Sequence, residues 1–189
     1  MKYLHYTLIA EANGWTDTSA RDIAKAQASF REACDAYRKE LDGLASRVSG
    51  PAWQFFRHGS DGHGLHDGRL LSFSLGDGLS YSADGSTPFL RNRSASSASF
   101  SFLNFEQTNL YSFRVRELRK CFVAFDSVDA QVPPRFGDLY LCELTGSDGD
   151  DLRLSFLFAN GAEISVVFRR LVFRRRRLRR SYLQGDMYR

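Results

Sequence analysis

The sequence predicts an α+β protein, in which a long N-terminal amphipathic helix packs on an antiparallel β-sheet of about six or seven strands ending in a C-terminal β-meander. Two patterns carry this prediction. Apolar residues recur at helical spacing over residues 16–48, and short runs of alternating apolar and polar residues fill residues 69–173. The chain has 189 residues, enough to bury one core. We therefore expect one domain over residues 1–173 and an Arg-rich extension over residues 174–189.

The helical segment 16–48 carries its apolar residues at three- and four-residue steps, which is typical of a helix with one buried face. These residues are Ile23, Ala26, Phe30, Ala33, Cys34, Tyr37, Leu41, Leu44, Ala45 and Val48. Thr16, Asp17 and Thr18 are N-cap candidates, because their side-chain oxygens can accept hydrogen bonds from first-turn amides. Gly50-Pro51 predicts the end of this helix, since proline cannot continue the hydrogen-bond ladder. A short second helix is expected from Pro51.

Alternating patterns predict the first strands of the sheet. Leu71, Phe73 and Leu75 alternate with serines, and a Gly-rich turn at 76–78 then predicts a returning strand at 79–82. The Ser-rich segment 84–99 is typical of a loop. Further strands are expected at 99–105 and 122–125, whereas the pattern of 107–118 is ambiguous.

The last two predicted strands form a hairpin whose register follows from the sequence. Their apolar faces consist of Leu152, Leu154, Phe156 and Phe158 in one strand, and Ile164, Val166 and Phe168 in the next. A two-residue turn at Asn160-Gly161 would put these two sets of apolar side chains on opposite sides of the sheet. A three-residue loop over 159–161 instead pairs Phe156 with Ile164, and it predicts a G1 bulge with a positive φ at Gly161. A strand over 138–144 completes the meander.

Cysteine usage and hydropathy predict a cytoplasmic protein. Cys34, Cys121 and Cys142 are widely spaced and form no CxxC pair, so we expect free thiols in a reducing compartment. No apolar run approaches the roughly 20 residues that a membrane span needs. His5 and Thr7 interrupt the apolar start of the chain, so we interpret it as mature protein.

A Gly-rich loop over residues 58–68 contains candidate metal ligands, which are His58, His63, His66, Asp61 and Asp67. Imidazole and carboxylate groups suit zinc, so a metal-dependent hydrolase is one interpretation. The alternative is a solvated turn in which Asp67 caps the start of the sheet. The spacing fits no standard metal motif, and no nucleophile-elbow or phosphate-loop motif is present. We therefore predict a non-enzymatic protein with no metal and no cofactor.

Positive charge is concentrated at the C-terminal end. Residues 169–189 contain nine Arg and one acidic residue, a net charge of +8, so the preceding residues carry −4 of the total +4. The candidate partner-binding residues are Arg169, Arg170, Arg174, Arg175, Arg176, Arg177, Arg179 and Arg180. Guanidinium groups bind phosphate and carboxylate oxygens, so nucleic acid and an acidic protein surface are both candidate partners. A solvated tail, or docking on the acidic body of the same chain, are the alternatives.

The stretch Leu65-His66-Asp67-Gly68 and the strand after it resemble a pattern in small uncharacterised bacterial proteins, several of which are regarded as immunity proteins of polymorphic toxin systems. In these proteins a Trp-containing helical lead-in comes before the pattern, as Trp53 does here. A strand ending in an acidic residue, comparable to Glu143, and a hairpin come after it. The resemblance covers about residues 51–173. It implies structural roles for His66, Asp67 and Glu143.

Two functions follow as expectations. The first is a non-enzymatic immunity protein that neutralises a cognate toxin by direct binding, with the Arg run against an acidic toxin surface. The second is a nucleic-acid-associated accessory protein that binds through the same Arg run.

Overall fold

The computed structural model describes residues 2–4, 6–16, 19–58, 65–76, 79–81, 88–90, 96–125 and 136–178. The helices in these ranges are α1 Tyr6–Ala12, α2 Ala20–Gly43 and α3 Gly50–His58. The strands are β1 Gly68–Gly76, β2 Leu79–Tyr81, β3 Pro88–Leu90, β4 Ser97–Leu103, β5 Asn109–Arg116, β6 Lys120–Ala124, β7 Asp138–Gly146, β8 Leu152–Phe158, β9 Glu163–Phe168 and β10 Arg170–Arg177.

Eight of the strands form one antiparallel sheet in the order β10-β5-β4-β1-β7-β8-β9-β6. The predicted α+β class is therefore confirmed, with one strand more than the upper expected number. The predicted return of residues 79–82 onto the first strand is wrong, because β2 pairs with β3 in a separate two-stranded sheet. The ambiguous segment 107–118 contains β5, a central strand of the large sheet.

The ends of the eight-stranded sheet come together through a bent two-stranded ribbon. In sequence, only Arg169 separates β9 from β10, and three residues separate β5 from β6. In the sheet, however, β9 lies near the opposite end from β10, and β5 lies near the opposite end from β6. Since β5 pairs with β10 and β6 with β9, the two pairings are successive parts of one ribbon. The sheet therefore curls over and closes on itself.

Aromatic rings fill the interior of the closed sheet. The ring centroids of Phe100, Phe102 and Phe113 lie 5.0, 4.8 and 5.5 Å from that of Phe156 on β8. β4 and β5 are not neighbours of β8 in the sheet, so these contacts cross the interior. All four side chains are essentially inaccessible to solvent, and burial of such rings is a main source of folding free energy.

The C-terminal hairpin has the predicted register. β8 and β9 pair Phe156 with Ile164, Leu154 with Val166 and Leu152 with Phe168. Gly161 has a φ of 82°, and the Phe158 N–H donates to the Ala162 carbonyl at 2.9 Å, as a G1 bulge requires.

α2 is shorter than the predicted helix 16–48. It begins after Ser19, whose side chain accepts the Asp22 N–H at 3.3 Å, so Ser19 takes the capping role that we expected at residues 16–18. It ends at Gly43, before the Gly50-Pro51 stop, and the C-cap residue Leu44 is buried in the core. Gly50-Pro51 instead begins α3, where the missing proline N–H has no cost.

Two strands depart from their predicted positions. A bulge between Leu70 and Ser72 leaves Leu71 without a partner on β4, so Leu70 rather than Leu71 pairs with the buried Phe102. β10 runs to Arg177 and pairs with β5 throughout, so the sheet continues past residue 173, where we predicted the start of an extension. Residues 179–189 lie outside the described residues.

Candidate functional site

Most of the predicted Arg cluster lies on β10. Arg170 and Arg174–Arg177 belong to this strand, and Arg169 occupies the bend that precedes it. Arg179 and Arg180 lie outside the described residues. Because side chains of a strand point alternately to its two faces, the arginines of β10 divide into two sets. Arg170, Arg174 and Arg176 point to the outer face, while Arg175 and Arg177 share the face of the half-buried Phe173.

The outer face continues across β5, β4 and β1 in four rows of paired residues. The rows, read from β1 to β10, are Gly76, Ser97, Arg116 and Arg170; Ser74, Ser99, Arg114 and Val172; Ser72, Ser101, Ser112 and Arg174; and Arg69, Leu103, Leu110 and Arg176. We call this surface the Ser/Arg face. Its serines lie mainly on β1 and β4 and its arginines mainly on β5 and β10, and all of the arginines are exposed.

The Ser/Arg face is positively charged, since none of its positions is acidic. Glu117 and Asp138 border it, beside Arg170 and Arg69 respectively. Arg170 forms an ion pair with Glu117, with an Nε–Oε1 distance of 3.1 Å. Among the described carboxylates none forms an ion pair with the other five arginines of the face. These guanidinium groups, on Arg69, Arg114, Arg116, Arg174 and Arg176, are therefore available to an anion.

The opposite side of β10 has a structural role. The Phe55 ring of α3 lies 4.8 Å from Phe173 and 5.5 Å from Tyr111, between centroids. Burial raises the pKa of the Tyr111 hydroxyl, and the charge of Arg175 beside it partly opposes that rise. Arg175 therefore lies against the aromatic cluster under α3, whereas Arg174 and Arg176 face outwards.

His66 and Asp67 form the turn that starts the sheet. The Asp67 N–H donates to the Leu139 carbonyl of β7 at 2.7 Å, and the Gly68 N–H donates to the Leu65 carbonyl at 2.8 Å. Asp67 has a φ of 57°, a left-handed conformation that aspartate tolerates better than most residues. His66 Nδ1 lies 2.9 Å from Asp67 Oδ2, and both side chains are more than half exposed. The backbone of this turn joins β1 to β7, which fits a structural role for the pair.

Glu143 is buried on β7, with 1% of its surface exposed. Its carboxylate accepts three backbone N–H groups, from Lys2 at 2.7 Å, Tyr3 at 2.9 Å and Leu4 at 3.0 Å. β1 pairs with only the first two residues of β7, so the rest of that edge needs other partners. α2 supplies partners for this edge, because the Leu144 N–H donates to the Tyr37 hydroxyl and the Gly146 N–H to Glu40.

The His-rich loop gives no metal site in the described part of the chain. No three His, Cys, Asp or Glu side chains gather there in a way that could hold an ion. His58 lies at the end of α3 with its ring 6.2 Å from Trp53, and the His66 ring lies 5.2 Å from Tyr140. His63 and Asp61 fall outside the described residues.

The arginines of β10 are predictable from the sequence, whereas the surface to which they belong is not. The available signal was the alternation of serine with Ala and Phe over residues 72–74 and 97–101. That alternation predicts a strand with a serine face, but it does not indicate which strands lie beside this strand. The pairing of β4 with β5 and of β5 with β10 brings the serines beside the arginines.

The comparisons with known proteins identify no family. No protein-family model matches the chain, and searches of the curated proteins and of the solved structures find no match. Within the described ranges, no helix combines the length and apolar character needed to cross a lipid bilayer.

Proposed function

We propose that the protein is a non-enzymatic nucleic-acid-binding protein that holds a phosphate backbone on the Ser/Arg face. One observation carries the proposal: five exposed guanidinium groups without a described carboxylate partner lie on the same face as a field of serine hydroxyls. Arg and Ser side chains are common donors to phosphate oxygens. Residues two apart on a strand are roughly 6.6 Å apart, so the four rows extend about 20 Å, the length of about six base pairs.

Nucleic acid fits this face better than a protein surface does. The centres of protein–protein interfaces are rich in apolar and aromatic residues, which provide most of the binding energy. The centre of the Ser/Arg face is polar, because it consists of Ser99, Ser101, Ser112 and Arg114. The apolar side chains of the face are the half-buried Leu103, Leu110 and Val172. Interfaces with nucleic acid are more polar and far more positive, as this face is.

The salt dependence of binding tests the proposal. Fluorescence anisotropy would measure the Kd of a labelled 12-base-pair duplex between 50 and 200 mM salt. If five arginines each neutralise one phosphate, the plot of log K against log salt has a slope of about −4.5. The Arg174→Ala/Arg176→Ala variant should make that slope shallower by about two, since it removes two phosphate contacts.

The matched control is Arg175→Ala/Arg177→Ala, which removes the same charge from the same strand on its other face. It should change the slope by less than about one. Equal losses in the two variants would show that charge alone, rather than the Ser/Arg face, attracts the duplex. A Ser99→Asp variant places a carboxylate at the centre of the face and should weaken binding without removing any arginine.

Toxin neutralisation stays a prediction of the sequence resemblance. The same measurements with polyglutamate, an acidic polypeptide, separate it from the proposal. Polyglutamate binding that depends on Arg174 and Arg176, without binding of the duplex, would replace nucleic acid with an acidic protein partner.

A further inference from the structure

A cavity of about 510 Å³ opens on the helix-covered side of the sheet, apart from the Ser/Arg face. It lies where β1 leaves β7 after pairing with two of its residues, and α2 and α3 cover the gap. A closed sheet that parts in this way leaves space between a strand edge and the helices above it. The volume is within the range of about 300–1,000 Å³ that is typical of small-molecule sites.

The floor and walls of the cavity are largely apolar. Apolar side chains come from the turn before β1, from β7 and from α3; these are Leu65, Leu139, Leu141, Phe55 and Phe56. Leu65 and Leu139 are almost fully buried in the core beneath the cavity. Such a lining favours a ligand with an aromatic or aliphatic body, because burial of apolar surface is the main source of affinity.

Polar groups at the rim are divided by charge. Arg38 of α2 and Arg57 of α3 lie on the helix side, while Asp67 and Glu106 lie on the loop side. The Asp67 carboxylate contacts His66, with an Oδ2–Nδ1 distance of 2.9 Å. Arg57 binds Asp42 through Nε at 2.9 Å, and Arg38 contacts Asp35 through one amino nitrogen at 3.4 Å. A guanidinium group has five N–H donors, so both arginines keep donors for another acceptor.

The free edge of β7 adds a backbone donor to the same side. Leu144 and Gly146 direct their N–H groups to Tyr37 and Glu40 of α2. The pairing of β7 with β8 is regular from Cys142 onwards, so the Cys142 N–H points in the same direction. Cys142 lines the cavity, which places this N–H on the side of the two arginines.

We propose that this cavity binds a small amphipathic anion, with its apolar body over the leucine and phenylalanine floor and its acidic head group at Arg38 and Arg57. This site is independent of the Ser/Arg face and of the proposed nucleic-acid binding. The ligand class is an organic acid with an aromatic or aliphatic body. The probe for the test is 1-anilinonaphthalene-8-sulfonate, which combines an aromatic body with one anionic group.

The three cysteines provide a test on the unmodified protein. Cys34 lines the cavity, whereas Cys121 is exposed on β6, away from it. Burial raises the pKa of both thiols, and it raises the pKa of the Cys142 thiol to about 12, so Cys142 reacts slowly at neutral pH. With the probe at about ten times its Kd, alkylation of Cys34 by N-ethylmaleimide should slow about tenfold. Alkylation of Cys121 should keep its rate.

Two variants test the head group and the body of the ligand separately. Arg38→Ala/Arg57→Ala should raise the Kd of the probe about tenfold or more, because charge-assisted hydrogen bonds are lost. Lys39→Ala, a charge removed from α2 outside the cavity lining, should leave the Kd unchanged. Leu141→Trp fills the cavity and should abolish saturable binding while circular dichroism stays the same.

Three results would overturn the proposal. Unprotected Cys34 at saturating probe would place the bound probe elsewhere, and this result needs no variant to fold. An unchanged Kd in Arg38→Ala/Arg57→Ala would show that these two arginines do not bind the anionic head group of the probe. Undiminished binding in a folded Leu141→Trp protein would show that the probe does not occupy the cavity.

Discussion

Replacement of Glu143 by glutamine should destabilise the protein by about 3.5–6 kcal/mol, because hydrogen bonds to a charged group contribute about 1.5–3 kcal/mol and neutral ones about 0.5–1.5 kcal/mol. Glutamine keeps one acceptor oxygen, which can still receive the Tyr3 and Leu4 N–H groups as neutral hydrogen bonds. Its amide nitrogen cannot accept the Lys2 N–H, now 2.7 Å from Oε2. One charge-assisted bond is lost and two are weakened.

A double-mutant cycle isolates the contact between Glu143 and the N-terminal segment. Deletion of residues 2–4 from the unsubstituted protein leaves the Glu143 carboxylate without partners, at a cost of about 3–5 kcal/mol. Loss of the buried Leu4 side chain adds about 1.5–3 kcal/mol. The same deletion in Glu143→Ala should cost about 1.5–3 kcal/mol, mainly from loss of the buried Leu4 side chain. The two changes are therefore expected to be non-additive.

Urea unfolding followed by circular dichroism gives the free energy of unfolding for each protein in the cycle. Glu32→Gln, on the exposed side of α2, is the matched control and should lie within about 0.5 kcal/mol of the unsubstituted protein. A Glu143→Gln protein as stable as this control, or additive effects in the cycle, would refute the argument that the carboxylate holds the N-terminal segment.

Three further predictions concern pH and backbone geometry. Burial alone would raise the pKa of Glu40, but hydrogen bonds from Lys2, Tyr3 and the Gly146 N–H outweigh it and lower the pKa below its ordinary value of 4.5. The stability that this lowered pKa provides is present above pH 4.5 and is lost as the pH falls through the lowered pKa. The Glu40→Gln variant should therefore lose less stability on acidification than the unsubstituted protein. An equal loss in the two proteins would contradict this role of Glu40. Gly161→Ala should destabilise by about 1–2 kcal/mol in urea unfolding, because Gly161 has a φ of 82°. Gly43→Ala, with no atoms within 4 Å of the new Cβ, should not destabilise, and the same loss in both variants would argue against backbone strain at Gly161. Gly68→Ala puts a Cβ 2.7 Å from the Leu65 carbonyl oxygen and 2.9 Å from that of Leu103, so the start of β1 must shift; a thermal midpoint equal to that of the unsubstituted protein would show that the turn has room.

The sequence by itself determined the elements whose partners are close along the chain. The register of β8 and β9 follows from the parity of their apolar residues and from Gly161, and the structure has the same pairs. The amphipathic helix was also predicted, because its 3.6-residue period is a local property of residues 20–43. The predicted ends of this helix were less accurate, because Ser19 rather than residues 16–18 caps it and because it ends at Gly43, before the Gly50-Pro51 stop.

Only the tertiary structure decided which surfaces these elements form. β10 follows β9 after one residue but pairs with β5, more than fifty residues earlier in the chain, and no local period encodes that choice. The bulge at Leu71 changes which leucine pairs with Phe102, and α1 was not predicted at all. The Ser/Arg face and the carboxylate of Glu143 with its three donors both depend on such long-range pairing. Sequence periodicity gives the buried side of each element, whereas the neighbour of each element depends on how all of them bury their apolar faces together.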